Sequence, residues 1–226
     1  MEEVRPGLWI GNIRAVAQLN QICRPNNYDN CNDAYDTRWT VITVLRDIKL
    51  LQFVRNTIAE YQKGEQNDMP KSFEIVEHVE WILPDAVQAD FVSLGLLNIV
   101  ETINNAIHPT INYDIDSEKV RKDAATSRRS DGSLNNNVKV IHACFVHCAQ
   151  GISRSAAVIA AFLLYSRECT TVQEALHAIR VVQPCAQPNL GLLAGLHALE
   201  QCDGNIEAAM ERMKRHEKRD AQKREN

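Results

Sequence analysis

"VKVIHACFVHCAQGISRSAAVIAAFLL" (residues 138–164) holds three patterns in succession. Its first nine residues are mostly apolar, a pattern typical of a buried strand. Five small or turn-compatible residues, "AQGIS", then separate Cys148 from Arg154, where a long apolar run begins. The stretch therefore predicts a strand, a tight loop and a helix, with a thiol at the end of the strand and a guanidinium at the mouth of the helix.

Strand and helix patterns alternate along the rest of the chain. Further strands are predicted at "RPGLWIGN", "TVITVL" and "FEIVEHVEWI", which are residues 5–12, 40–45 and 73–82. Helices are predicted at residues 13–21, 48–61, 92–107, 154–167 and 190–201, and after a capping box at Thr171–Glu174. This alternation predicts an α/β fold, with a central, mostly parallel sheet flanked by helices.

The 226 residues suit one domain, which we expect to span residues 1–204. Polar, turn-rich segments at about residues 24–38 and 109–137 are interpreted as insertions. Residues 205–226 form a charged tail, expected to be helical or disordered.

Composition narrows the classes of function. The net charge of −4 argues against general binding of nucleic acid or membranes. We expect no secretory signal and no membrane span, because no apolar stretch of the required kind is present. The seven cysteines are odd in number and scattered, so we expect reduced thiols and a location in the cytoplasm, with the nucleus as a further possibility. The sequence does not predict the oligomeric state.

The loop after Cys148 has the properties of an anion site. The start of a helix offers free N–H groups, and Gly151 allows the loop to curl so that its amides converge. Arg154 can add a planar fork of donors, which suits a phosphate. A thiolate is favoured by such donors and by a nearby cation. Cys148 is therefore a candidate nucleophile directed at phosphorus.

The string "HC-x5-RS", which is His147, Cys148, Arg154 and Ser155, resembles the signature of cysteine-dependent protein tyrosine phosphatases, and the longer string resembles the dual-specificity branch. "PGLWIGN", "VITVL" and "VQPCAQPNLGLL" are similar to flanking segments of that branch, so the resemblance covers most of residues 5–199. The absence of a preceding docking domain resembles the small atypical members. The resemblance implies a protein tyrosine phosphatase-like fold and hydrolysis of phosphotyrosine and of phosphoserine or phosphothreonine. It implies a phosphorylated protein as partner, and neither a metal nor another cofactor.

The resemblance also implies a role for each residue of the signature. Cys148 would attack phosphorus to form a cysteinyl-phosphate. Ser155 would assist the departing sulfur, and His147 would orient the loop and tune the thiol. The phosphate oxygens would be held by Ala149, Gln150, Gly151, Ile152, Ser153 and Arg154.

A general acid is still required, and the family takes it from a loop after the preceding strand. The stretch "WILPDAVQADF" offers Asp85 and Asp90. The spacing of Asp85 to Asp90 and Phe91 resembles the family's run, so Asp85 is the favoured acid. Asp90 is interpreted as the N-cap of the following helix.

Several alternatives stay open at this point. The substrate could be a non-protein phosphate such as RNA, a carbohydrate or a lipid, although the uncharged loop residues argue against a highly anionic one. The chain could also be a non-catalytic binder of phosphoproteins, although such proteins typically lose the cysteine or the arginine. Cys144 could form a protective disulfide with Cys148, but core packing is favoured. The four thiols and imidazoles at residues 142–148 have the wrong spacing for a zinc finger.

Overall fold

A five-stranded sheet forms the centre of the computed structural model, which describes residues 1–19, 35–63, 73–84, 91–108 and 139–224. Its strands are β1 (Glu2–Arg5), β2 (Leu8–Asn12), β3 (Tyr35–Leu45), β4 (Phe73–Ile82) and β5 (Lys139–Cys148). The predicted insertions lie outside the described residues, apart from residues 35–38.

The strand order is β1-β2-β5-β3-β4. β1 is antiparallel to β2, and every other neighbouring pair is parallel. Parallel neighbours need crossover connections, and helices lie along them in the described part of the chain. The predicted α/β fold with a mostly parallel sheet is confirmed. Since β5 is the middle strand, its end at Cys148 lies between the ends of β2 and β3.

Two strand boundaries differ from the sequence prediction. The single strand expected at residues 5–12 is a hairpin of β1 and β2, with a turn at Pro6 and Gly7, where Gly7 has a φ of +80°. β3 begins at Tyr35 rather than Thr40, because residues 35–39 pair with residues 139–143 of β5. Polar composition suggested a loop there, but the ladder with β5 overrides that local preference.

Helices cover both faces of the sheet. They are α1 (Ile13–Val16), α2 (Ile48–Lys63), α3 (Leu96–Ile107), α4 (Arg154–Tyr165), α5 (Val172–Val182), α6 (Leu190–Glu200) and α7 (Ile206–Arg224). The core accordingly has two parts. One cluster joins α1 and α2 to the sheet, and the other joins it to α3 through α7.

The central helix α4 is buried along almost its entire length. Residues 154–164 are all buried, and four of them are alanines that let neighbouring elements approach closely. An apolar helix surrounded by protein has little freedom to shift. The loop between β5 and α4 is therefore held at both ends by core elements.

The last helices follow the predicted signals. The capping box of Thr171 and Glu174 is formed at the start of α5. The charged tail is helical over Ile206–Arg224, and its described side chains beyond Met213 are exposed. No helix in the described part of the chain has both the length and the apolar character needed to cross a bilayer.

Candidate active site

The loop of residues 149–153 joins the end of β5 to the start of α4. Because β2, β5 and β3 are parallel, their carboxyl ends open on the same edge of the sheet. The amide N–H of Ile13 donates to the carbonyl of Ala149 at 3.4 Å, which ties the loop to the end of β2. The predicted strand, loop and helix are thus present, and the helix N-terminus faces the loop with its positive end.

Cys148 lies at the floor of this loop, with 2 % of its surface exposed. Its Sγ accepts a hydrogen bond from the amide N–H of Gly151 at 3.2 Å and lies 3.3 Å from Ser155 Oγ. Burial raises the pKa of the Cys148 thiol, but the hydrogen bonds from Ser155 and Gly151 and the charge of Arg154 outweigh it, so the pKa is lower than usual. The site favours the thiolate, which is the nucleophilic form.

Cys144 shows what a thiol on the same face of β5 experiences without such donors. It is fully buried among apolar side chains, and burial raises the pKa of its thiol. A strand rises about 3.3 Å per residue, so the Cα atoms of Cys144 and Cys148 lie about 13 Å apart. A disulfide spans at most about 7 Å between Cα atoms. The intact strand excludes a protective disulfide between them, and Cys144 is a core side chain.

His147 points to the opposite face of the sheet from Cys148, because neighbours on a strand alternate. Its ring is fully buried, stacks on Phe145 and places Nε2 2.8 Å from Thr43 Oγ1. Burial lowers the pKa of His147 to about 3, against the opposing effect of the Cys148 main chain, so the ring is neutral at pH 7. The His147 ring can therefore influence the loop only through the main chain that it shares with Cys148. This alternation also prevents His147 from joining Cys144 and Cys148 around one metal ion.

Arg154 is the first residue of α4, and 9 % of its surface is exposed. Its Nη1 donates to the carbonyl oxygen of Leu83 at 3.2 Å, just beyond the end of β4. The guanidinium also lines a surface pocket with residues 45–47 and Leu50. It therefore connects the loop to the strand that leads into residues 85–90. Sequence reasoning missed the contact with Leu83, since a carbonyl oxygen has no side-chain signal.

The segment of residues 183–189 packs against the outer side of the loop. Gln183 Nε2 donates to the carbonyl of Gly151 at 3.2 Å, and the amide N–H of Gln187 donates to the carbonyl of Ile152 at 2.8 Å. The amide N–H of Asn189 donates to Ser153 Oγ at 3.2 Å. Because the carbonyls of Gly151 and Ile152 accept hydrogen bonds from this segment, the curled backbone of the loop is held in place. Gln183 is thus part of the loop's support.

Gly151 occupies a position that other residues do not fit. Its φ is +74°, and a Cβ there would lie 2.8 Å from the main-chain carbon and oxygen of Gly11. The first property favours glycine on conformational grounds. The second means that the loop lies directly against the end of β2.

Replacing Gly151 with alanine is expected to lower the free energy of unfolding by about 1–3 kcal/mol and to disturb the loop around Cys148. Urea unfolding measures the stability. The matched control is Gly95→Ala, since Gly95 has a φ of +100° but no atom within 4 Å of an added Cβ. In the Gly95→Ala control, the free energy of unfolding should fall only by the backbone strain, about 1 kcal/mol. Equal losses in both variants would contradict the close approach to Gly11.

Asp85 and Asp90 both lie outside the described residues. Trp81, before these two residues, contacts the chain that follows them. Its Nε1 donates to the carbonyl of Leu94 at 2.8 Å, and its ring packs near Phe91. Asp85 follows Leu83, whose carbonyl accepts from Arg154, by two residues. The choice between the two acids remains a prediction.

Sequence comparison shows which family the part of the chain around Cys148 resembles. Residues 99–202 match the family described as "Dual specificity phosphatase, catalytic domain", and this range includes Cys148, Arg154 and Ser155. Residues 99–202 are similar to the dual-specificity phosphatases. The family resemblance stated from the signature is confirmed.

The similarity to individual relatives is local in sequence and broad in structure. Dual specificity protein phosphatase 22-B of Danio rerio is 44% identical over 50 residues, 21% of this chain and 26% of the relative. Tyrosine-protein phosphatase YVH1 of Saccharomyces cerevisiae is 36% identical over 64 residues, 28% of this chain and 17% of the relative. The chain thus spans about a quarter or less of the length of these relatives. The Yvh1 phosphatase domain of Chaetomium thermophilum has the same fold, with 19% identity, a TM-score of 0.51 and coverage of 91% of this chain and 98% of that one.

Proposed function

We propose that this chain is a protein phosphatase that hydrolyses phosphotyrosine and phosphoserine or phosphothreonine through a cysteinyl-phosphate intermediate. The observation that carries the proposal is the environment of Cys148 Sγ, which meets the Gly151 amide at 3.2 Å and the Ser155 hydroxyl at 3.3 Å beside Arg154. These groups favour a thiolate at the centre of a set of anion donors. The match of residues 99–202 to the catalytic domain of dual specificity phosphatases supports the same activity.

The first step transfers the phosphoryl group to sulfur. The Cys148 thiolate attacks phosphorus in line with the ester bond, so that an S–P bond forms as the P–O bond breaks. The loop amides and Arg154 hold the three equatorial oxygens, where negative charge is spread in the transition state. The leaving oxygen takes its proton from Asp85.

The second step releases inorganic phosphate. The Asp85 carboxylate takes a proton from water, whose oxygen attacks phosphorus while the S–P bond breaks. The Ser155 hydroxyl, 3.3 Å from Sγ, donates a hydrogen bond to the departing thiolate. A nucleophile of this kind must stay reduced, so we place the protein in the cytoplasm or nucleus.

Replacing Asp85 with asparagine is expected to lower kcat for an alkyl phosphoester by roughly 10²–10⁴-fold, because the leaving alkoxide loses its proton donor. The alkaline limb of the pH profile should also flatten, because a general acid acts only in its protonated form. The measurement is steady-state hydrolysis of phosphoserine peptides and of an aryl phosphate with a good leaving group. The aryl phosphate should be affected less, since it needs less protonation.

The control for this prediction is Asp90→Asn in the same assays. An N-cap residue affects stability by about 1 kcal/mol and leaves the pH profile in place. A collapse of turnover in Asp90→Asn, with Asp85→Asn active, would reverse the assignment.

The substrate class is tested with the unmodified chain. We expect hydrolysis of an aryl phosphate and of phosphopeptides in preference to inositol phosphates, because Ala149, Gln150, Ile152 and Ser153 carry no charge that would select a polyanion. Phosphopeptide binding without any turnover would instead indicate a non-catalytic binder. Exclusive turnover of RNA, carbohydrate or lipid phosphates would refute the assignment to proteins.

A further inference from the structure

Two histidines meet at one buried hydroxyl behind the candidate active site. Thr43 Oγ1 lies 2.8 Å from His147 Nε2 and 2.8 Å from His78 Nε2. Thr43 is fully buried, and its neighbours in the ladder are His147 on β5 and Glu80 on β4. The hydroxyl therefore bridges the residue next to Cys148 and the edge strand of the sheet.

The same chain of contacts continues from His78 to the surface. His78 Nδ1 lies 3.9 Å from Glu80 Oε1, and Glu80 receives two hydrogen bonds of 2.6 Å from Arg55 on α2. The exposed fraction rises outward, from 14% for the His78 side chain to 51% for that of Arg55. A buried group at the active site is thus connected to groups that meet solvent.

The hydroxyl of Thr43 has one proton, and this couples the two imidazoles. If His78 Nε2 donates to Thr43, the Thr43 hydroxyl is free to donate to His147 Nε2, and the neutral His147 ring carries its proton on Nδ1. If His78 Nε2 instead accepts, Thr43 must accept from His147 Nε2–H. Protonated His78 can only donate from Nε2, whereas neutral His78 accepts there when its proton is on Nδ1, and the tautomer of His147 follows that choice.

The tautomer of His147 acts on the loop through the main chain. Nε2 is engaged with Thr43, and the buried Nδ1 makes no hydrogen bond within the described part of the chain, so Nδ1 can act on the adjacent main chain of Cys148 through its charge. A proton on Nδ1 places positive charge density beside the main chain of Cys148, and this favours the thiolate.

We propose that His78 is a positioning residue for Cys148, acting through the hydroxyl of Thr43 on the proton of His147. The proposal rests on the proposed function for its use in catalysis. His78 does not touch the substrate and contributes no atom to the reaction. It tunes the stability of the Cys148 thiolate from a site near solvent.

The charges around His78 determine the pH at which this tuning operates. Burial lowers the pKa of His78, the Glu80 carboxylate opposes that effect, and Arg55 on α2 adds to it. Thr43, on the adjacent strand β3, is uncharged, and His147 beyond it is neutral at pH 7. His78 is therefore neutral at pH 7 and gains its proton on acidification. The protonated ring donates to Thr43, which helps to retain the Cys148 thiolate as the pH falls.

The test uses the full chain and the pH dependence of Cys148 alkylation by iodoacetate, resolved by peptide mass spectrometry. His78→Phe and Thr43→Val should each move the titration midpoint of Cys148 to higher pH by about 0.5–1 pH unit. Thr43→Ser keeps the hydroxyl and should behave as the unmodified chain. His177→Phe, an exposed histidine on α5, is the matched control and should change nothing.

The double variant separates a relay from two independent structural defects. If Thr43 transmits the effect of His78, the double variant should shift the midpoint no further than either single one. Additive shifts, or midpoints unchanged in both single variants, would overturn the proposal. Thermal unfolding of each variant establishes that the chain is folded during alkylation.

Nitrogen NMR of the histidine rings gives a readout independent of turnover. In the unmodified chain, the His147 ring shifts should change as His78 titrates, and in His78→Phe they should not. A His147 tautomer that ignores His78 refutes the relay even if the chain is an active phosphatase. A responsive tautomer in a chain without turnover refutes the proposed function alone.

Discussion

Replacing Cys148 with serine is expected to lower kcat for phosphoester hydrolysis by roughly 10⁴-fold or more, the scale seen when a nucleophile is removed. The loop stabilises a thiolate through Gly151, Ser155 and Arg154, and these donors hold the pKa of the thiol below its usual value. A serine hydroxyl ionises at a far higher pH, so the same donors leave it protonated. Initial rates with an aryl phosphate and with phosphotyrosine peptides measure the loss.

The matched control is Cys185→Ser, which changes an exposed thiol in the segment that supports the loop and should leave kcat unchanged. The Cys148→Ser variant keeps the loop amides and Arg154, so its affinity for phosphopeptides should stay within about tenfold of the unmodified chain. A serine variant that still turns over at a comparable rate would place the nucleophile elsewhere. Loss of affinity together with turnover would indicate a collapsed loop.

Replacing Arg154 with lysine is expected to lower kcat by roughly 10²–10³-fold, the range for removing a donor to developing negative charge. Lysine keeps the charge but loses the planar fork that grips two oxygens at once. It also loses the geometry of the contact between Arg154 and Leu83, which holds the guanidinium at the end of β4. Steady-state kinetics should show the fall mainly in kcat, because the arginine is expected to bind the transition state more tightly than the ester.

Arg212→Lys provides the control, since it makes the same change on the exposed surface of α7 and should leave kinetics unaffected. Urea unfolding distinguishes a catalytic defect from a structural one, because Arg154 is a buried residue of the central helix. Full activity in Arg154→Lys would show that charge alone suffices and that the fork has no role. A loss of activity matched by unfolding would assign the arginine to stability.

The candidate nucleophile and its loop could be predicted because their chemistry is local. Cys148, Gly151, Arg154 and Ser155 lie within eight consecutive residues, so the turn and the helix start that bring them together are encoded by immediate neighbours. Periodicity likewise predicted the other helices and the parallel strands, but the helix expected at residues 13–21 ends at Val16. It failed at β3, where the pairing of residues 35–39 with β5 overrides their polar composition.

The supports of the loop could not be predicted because each joins distant parts of the chain. The contact from Thr43 to His147 depends on β3 being the neighbour of β5, and the contact from Arg154 to Leu83 depends on where β4 ends. Neither strand order nor register follows from the pattern of a single strand. The prolines around Gln183 indicate only that a helix ends there, although this segment donates hydrogen bonds to the loop carbonyls.

The sequence by itself determined the strand, the loop, the helix and the identity of the thiol and guanidinium, since short-range backbone preferences and side-chain chemistry suffice for these. Only the tertiary structure decided that burial raises the pKa of one buried cysteine and is outweighed by donors at the other. Cys148 lies among amide, hydroxyl and guanidinium donors, while Cys144, on the same strand face, lies among apolar side chains. The physical reason is that a pKa depends on the surroundings of the group, and those surroundings are assembled from the whole chain.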